Sequence, residues 1–206
     1  MINYRILTIG GVHYISLLES WLRENPEYLN NSYDEMLKEF FNTSMISSNP
    51  FSQSLRKLGQ EAIELVIDFG VLQKQWAKEN GVLFSADNWM FDIMLAQIEF
   101  YKPDVIYIQS NTFNITGIFF KNILNMNLAE ILKQKFSFIK LIVMFSGYPC
   151  GAERIKGVDI LFACSPSLMR LYQKMGFDPI LLYHSFDKSI INKLNGQDKQ
   201  YGFTFA

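Results

Sequence analysis

Apolar and polar positions run along this chain in blocks whose period changes in a regular order. Short apolar runs, each of strand length, cover Tyr4 to Ile9, Glu61 to Ile67, Val105 to Ile108, Phe138 to Phe145, Asp159 to Ala163 and Ile180 to Tyr183. Between them the apolar positions recur at helical spacing. Val12 to Arg23 places Ile15, Leu18 and Leu22 on one face, and Pro26 closes it. Ser32 and Glu35 form a capping box ahead of a helix that reaches Phe41. Asn42 to Gln53 reads as a polar loop, and Ser54 to Gly59 as a short helix. Asp68 is placed to cap a helix that runs to Asn80 and stops at Gly81. Asp87 opens a further helix carrying Trp89, Ile93, Leu95 and Phe100, broken at Lys102-Pro103. Thr116 caps a helix over Gly117 to Gln134.

The clearest unit lies between Asp159 and Asp187. After the strand to Ala163, Ser165 is an N-cap and Pro166 occupies the first helical position, where a missing N–H costs nothing. Leu168, Leu171, Tyr172 and Met175 share a face, and Gly176 supplies a left-handed C-cap. Strand, helix and strand at this length require a right-handed crossover between parallel strands. Six such strands alternating with helices predict a doubly wound parallel α/β domain, Rossmann-like, over residues 1–190. Residues 195–200 are polar and linker-like, and Tyr201 to Phe205 alternates like a new strand, so 191–206 reads as linker plus the first strand of a second domain.

Composition narrows the function. Hydrophobic residues are 49% of the 206, enough to bury a large core. The net charge of −1 and the lack of a basic stripe argue against nucleic acid as the partner. No run approaches the ~20 apolar residues that span a bilayer, and the N-terminus lacks a signal-peptide pattern. A cytoplasmic protein, at most peripheral to a membrane, is expected. Cys150 and Cys164 are expected to be reduced, and no metal-ligand spacing joins them to the two histidines.

In open parallel sheets ligands bind at the carboxyl ends of the strands. Gly10 and Gly11 end the first strand, so the backbone there can approach a ligand, although the third glycine of a dinucleotide fingerprint is missing. His13 and His184 each follow a strand at that end. Gln109, Ser110 and Asn111 follow the third strand, and their uncharged donors and acceptors suit sugar hydroxyls as well as a plain loop. Tyr148, in the turn Ser146-Gly147-Tyr148-Pro149, is placed to stack on a ring. Asp187 either faces the ligand or caps the next helix.

Two stretches carry a family resemblance. Tyr101-Lys102-Pro103-Asp104 leads into the apolar strand at Val105. Asp159 to Ser165, Lys174, Gly176-Phe177 and the close Leu181 to Phe186-Asp187 follow later. Together these resemble the N-terminal domain of GT-B glycosyltransferases, in particular the CgeB-like spore-maturation branch. The outline covers most of the chain, and the specific matches lie in 99–109 and 159–187. The resemblance implies an acceptor-binding domain paired with a C-terminal domain that holds a nucleotide-sugar donor. It implies no cofactor in this chain, and a glycan, lipid-linked or protein acceptor. It places His13 as the base that takes a proton from the acceptor hydroxyl, and Asp187 as the acidic residue after the last strand of the domain. On this reading these residues alone do not turn over. Two other classes stay open: a non-catalytic flavodoxin-like binding or regulatory domain, and a nucleotide-sugar hydrolase or epimerase relative.

Overall fold

The computed structural model of the chain describes residues 3–12, 14–43, 49–109 and 128–185. Within them six strands form one sheet: β1 (Arg5–Gly10), β2 (Glu61–Val66), β3 (Val105–Gln109), β4 (Leu141–Ser146), β5 (Ile160–Ala163) and β6 (Ile180–Leu181). Their spatial order is β2-β1-β3-β4-β5-β6 and every pairing is parallel. The described helices are α1 (Ile15–Glu24), α2 (Tyr33–Asn42), α3 (Asn49–Lys57), α4 (Gly70–Glu79), α5 (Trp89–Tyr101), α6 (Leu128–Lys135), α7 (Ala152–Ile155) and α8 (Pro166–Lys174), with a 3₁₀ turn at Pro26–Asn30. The doubly wound parallel α/β fold read from the sequence is the fold of the chain.

Side chains alternate across the sheet, and the two faces differ in chemistry. One face presents Leu7, Ile9, Leu65, Ile106, Ile108, Ile142 and Met144, packed under Met94 and Ile98 of α5, Leu132 of α6 and Leu168 and Tyr172 of α8. On the other face the register places Thr8 beside both Glu64 and Tyr107. There α3 crosses the sheet. Phe51 stacks on Tyr107 at 4.6 Å between centroids, and the Arg56 guanidinium donates to the Ala62 carbonyl at 2.8 and 3.1 Å. A second core joins α1, α2, α4 and α5 around Tyr28, Met36, Phe40, Leu72, Trp76 and Ile93.

The local rules hold where capping chemistry is strongest. Ser32 and Glu35 make the reciprocal capping box, Ser165 caps α8 above Pro166, and Gly176 takes a positive φ of 87°. Several boundaries differ from the sequence reading. The polar stretch before Gln53 contains the start of α3 at Asn49, because Phe51 gains a ring contact on the sheet that the local pattern does not encode. α1 begins at Ile15, after a non-helical Tyr14, rather than at Val12, whose N–H is committed elsewhere. The fourth strand begins at Leu141, since Phe138 stacks on Phe136 instead of extending it. β6 ends at Leu181. Asp68 does not cap α4. Phe69 stands at that N-cap without a side-chain bond, and the Asp68 carboxylate bonds to the Val12 N–H. The start of the helix read over Gly117 to Gln134 and the strand read at Tyr201 to Phe205 lie outside the described residues.

Candidate functional site at the carboxyl edge

Parallel pairing brings the ends of all six strands to one edge. Gly10 lies opposite Val66, Gln109 opposite Phe145, and Ala163 opposite both Ser146 and Leu181. The strand order reverses direction between β1 and β3, so the topological switch point falls there. Gly10, Gly11 and Gln109 meet at this point. A Cβ on Gly10 would stand 3.4 Å from the Gln109 Oε1, so the amide of Gln109 lies across the end of β1.

Asp68 comes to the same place from the loop after β2. Its Oδ1 accepts from the Val12 N–H at 2.8 Å, and a Cβ on Gly11 would stand only 2.8 Å from its Oδ2. Glycine at position 11 is therefore a steric requirement of this contact. Burial pushes the Asp68 carboxyl up to about 6, against the opposing pull of the Val12 and Asp68 backbone N–H groups. Its Oδ2 has no hydrogen-bond partner. The sequence reading missed Asp68 as a site residue. The available signal was its position directly after an apolar strand at the carboxyl edge.

A second part of the edge is built on β4. The turn Ser146-Gly147-Tyr148-Pro149 is clamped from below by Tyr172 of α8. The Tyr172 hydroxyl donates to the Tyr148 carbonyl at 2.9 Å, and the Ser146 Oγ reaches the same carbonyl at 2.8 Å and the Tyr172 hydroxyl as well. Burial, together with the Cys150 thiol beside it, pushes the Tyr172 phenol up to about 12. Held this way, the turn presents the Tyr148 ring at 57% exposure. His184, exposed after β6, leans its ring edge-on against Phe145 at 5.1 Å. It thus sits against β4, on the residue that the register places opposite Gln109.

Of the residues singled out from sequence, Gly10, Gly11 and Gln109 form one group, and Tyr148 and His184 share the β4 side of the edge. His13, Ser110, Asn111 and Asp187 lie outside the described residues. Cys150 and Cys164 are free thiols, turned toward the Tyr172 hydroxyl and the Gly147 carbonyl. Among the described residues no cluster of three His, Cys, Asp or Glu side chains could hold a metal ion, and no helix is long and apolar enough to cross a membrane.

Among the described residues, three ion pairs lie where strands begin. Arg5 pairs with Glu61, Lys140 with Asp104 and Lys133 with Asp159, each beside the first residue of a strand. The remaining ion pairs formed between described residues join Lys102 to Glu99 and Lys156 to Glu130. None involves a loop that directly follows a strand. Comparison with protein-family models, with curated proteins and with solved structures found no match to the chain.

Proposed function

We propose that this chain is the acceptor-binding domain of a GT-B-type glycosyltransferase, with the nucleotide-sugar donor held by a separate domain. The observation that carries the reading is the composition of the carboxyl edge. At the switch point of an all-parallel sheet, a glycine turn, an amide and a carboxylate converge, and a rigid turn beside them displays a tyrosine. Backbone groups and neutral amides suit hydroxyl recognition, and exposed aromatic rings suit the apolar faces of sugars. In this reading His13, next in sequence to the Val12 held by Asp68, takes the proton from the acceptor hydroxyl. Gln109, Tyr148 and His184 orient the acceptor, and Ser110, Asn111 and Asp187 complete its contacts.

The test is a binding comparison on the chain itself. Titration with glycans and, separately, with UDP-glucose and GDP-mannose is expected to show glycan binding and weak or absent nucleotide-sugar binding, with no sugar transfer. Tighter binding of a nucleotide sugar than of any glycan at this edge, or transfer catalysed by the chain alone, overturns the reading. One observation favours a second reading. The order β2-β1-β3-β4-β5 is that of flavodoxin-like domains, which supports a non-catalytic binding domain docking a protein. A chain indifferent to every sugar but captured at this edge by a protein partner would favour it.

A further inference from the structure

Helix α3 is seated on the sheet by few contacts. It reaches from β2 to β3: Arg56 bonds to the Ala62 carbonyl of β2, and Phe51 stacks on Tyr107 of β3. Strand β1 lies between those two, so Thr8 is spanned by the helix. Of residues 51–57 only Ser52 is buried. Phe51 is 38% exposed, Leu55 is half-buried, and the others face solvent. Little apolar area therefore holds α3 down. A short turn through Gly59, at a φ of 80° that favours glycine, joins it to β2.

What this helix covers is polar. Glu64 and Thr8 are 3% and 1% exposed and stand side by side in the register. Neither Glu64 oxygen nor the Thr8 Oγ1 makes a hydrogen bond of normal geometry. Among the described residues, the groups facing Glu64 are Thr8 from β1 and Ser52 and Arg56 from α3, of which Arg56 carries charge. Tyr107, one strand further, keeps its proton, since burial pushes its phenol up to about 12. A carboxylate formed at position 64 is left unsolvated while α3 is seated. β1 is held by pairing along both of its edges, whereas α3 has only a ring stack, one anchored guanidinium and a thin apolar seat. The helix is the part that gives way.

The covered strip leads to the candidate site. Side chains alternate along each strand, so Gly10 and Gln109 share the face of Thr8 and Tyr107, one step closer to the carboxyl edge.

We infer that α3 is a proton-gated lid: when Glu64 loses its proton the helix lifts from β2, hydrates the carboxylate and uncovers a polar strip that runs to the switch point. The inference does not depend on the acceptor reading. With α3 seated, Glu64 holds its proton up to about 8; hydrated, it titrates at the ordinary 4.5. The closed form is therefore fully favoured below 4.5 and loses ground as pH rises toward 8. Across that window the ratio of open to closed chains grows about tenfold per pH unit.

Amide exchange of the full chain at pH 5, 6, 7 and 8, with the intrinsic rate at each pH divided out, tests this. The Leu58, Gly59 and Gln60 N–H groups, bonded to the carbonyls of Ser54, Arg56 and Leu55, report on the lid. Their protection should lie below that of β1 and β3 at every pH and fall by up to about tenfold per unit. In Glu64→Gln it should stay level. Phe51→Ala, which removes the stack on Tyr107, should lower it about threefold to tenfold at every pH and keep the slope. Thermal melts verify that both variants fold, and the Phe51 variant carries the test if the other does not. Level protection of these amides in the wild type overturns the inference, because Glu64 then either stays protonated or is hydrated with α3 in place. Protection equal to that of β1 and β3 overturns it too, because α3 then leaves only when the whole domain unfolds.

Discussion

Replacing Glu64 by Gln should stabilise this protein, and more so as pH rises. Glu64 lies on β2, 3% exposed, in register with Thr8 and beneath α3. Neither of its oxygens makes a hydrogen bond of normal geometry, although Ser52 faces it, and the Thr8 Oγ1 beside it is equally unpartnered. Burial pushes the carboxyl from an ordinary 4.5 up to about 8, and Ser52 and Arg56 offset only part of that. The sign follows from proton binding. Below 4.5 both folded and unfolded chains are protonated at this site and it contributes nothing. Between 4.5 and 8 the folded chain holds a proton that the unfolded chain has lost, so stability falls as pH rises through that window. The penalty is complete above 8. At ~1.4 kcal/mol per factor of ten it reaches ~5 kcal/mol there and ~3 kcal/mol at pH 7, as upper values that water entry or local rearrangement would reduce. Gln keeps the shape and removes the titration. Urea unfolding of both proteins at pH 4.5, 6, 7 and 8 should show a small difference at the lowest pH. By pH 8 the variant should gain about 2 kcal/mol or more, with unchanged m values. Parallel pH profiles for the two proteins would refute the reasoning, because they would mean that Glu64 does not titrate in this window.

Tyr172→Phe removes a hydrogen bond to the Tyr148 carbonyl and the link to Ser146. It should cost ~1–3 kcal/mol in unfolding free energy and speed amide exchange in residues 147–150. Gly11→Ala drives a methyl toward the Asp68 carboxylate, at 2.8 Å from Oδ2. It should lower stability by ~1–3 kcal/mol, read by thermal melting, and Gly11→Ala combined with Asp68→Gly should recover part of that loss. Asp68→Asn keeps an acceptor for the Val12 N–H but removes a carboxyl raised from 3.8 to about 6. The wild type should lose up to ~3 kcal/mol as pH rises from about 4 to about 6, a loss absent from the variant in the same unfolding series.

Much of the architecture was legible because parallel α/β chains announce themselves by alternating period. The apolar cores of all six strands, the Ser32–Glu35 capping box and the Ser165-Pro166 helix start follow from local chemistry alone. What the local pattern hid was decided by distant partners. The polar run that hides the start of α3 becomes helical because Phe51 finds Tyr107, more than fifty positions away. Glu64 falls inside the strand run Glu61 to Ile67, and nothing in the local pattern says that it is buried. Asp68 looked like a helix cap, since aspartate before a helix usually is one, but the Val12 N–H in the neighbouring loop is its partner. The candidate site was legible as an edge, through Gly10, Gly11, Gln109, Tyr148 and His184. Its grouping was not. Only strand order puts Gln109 across Gly10 and sends His184 to Phe145.

The central claim is that ligand binds where the strands end. Amide hydrogen exchange of the chain, with and without a saturating glycan, tests it most directly. Protection is predicted in residues 10–12, 67–69, 147–151 and 182–185, with none in residues 4–5, 60–61, 104–105, 140–141 and 159–160 where the strands begin. Protection confined to the second set would contradict the account.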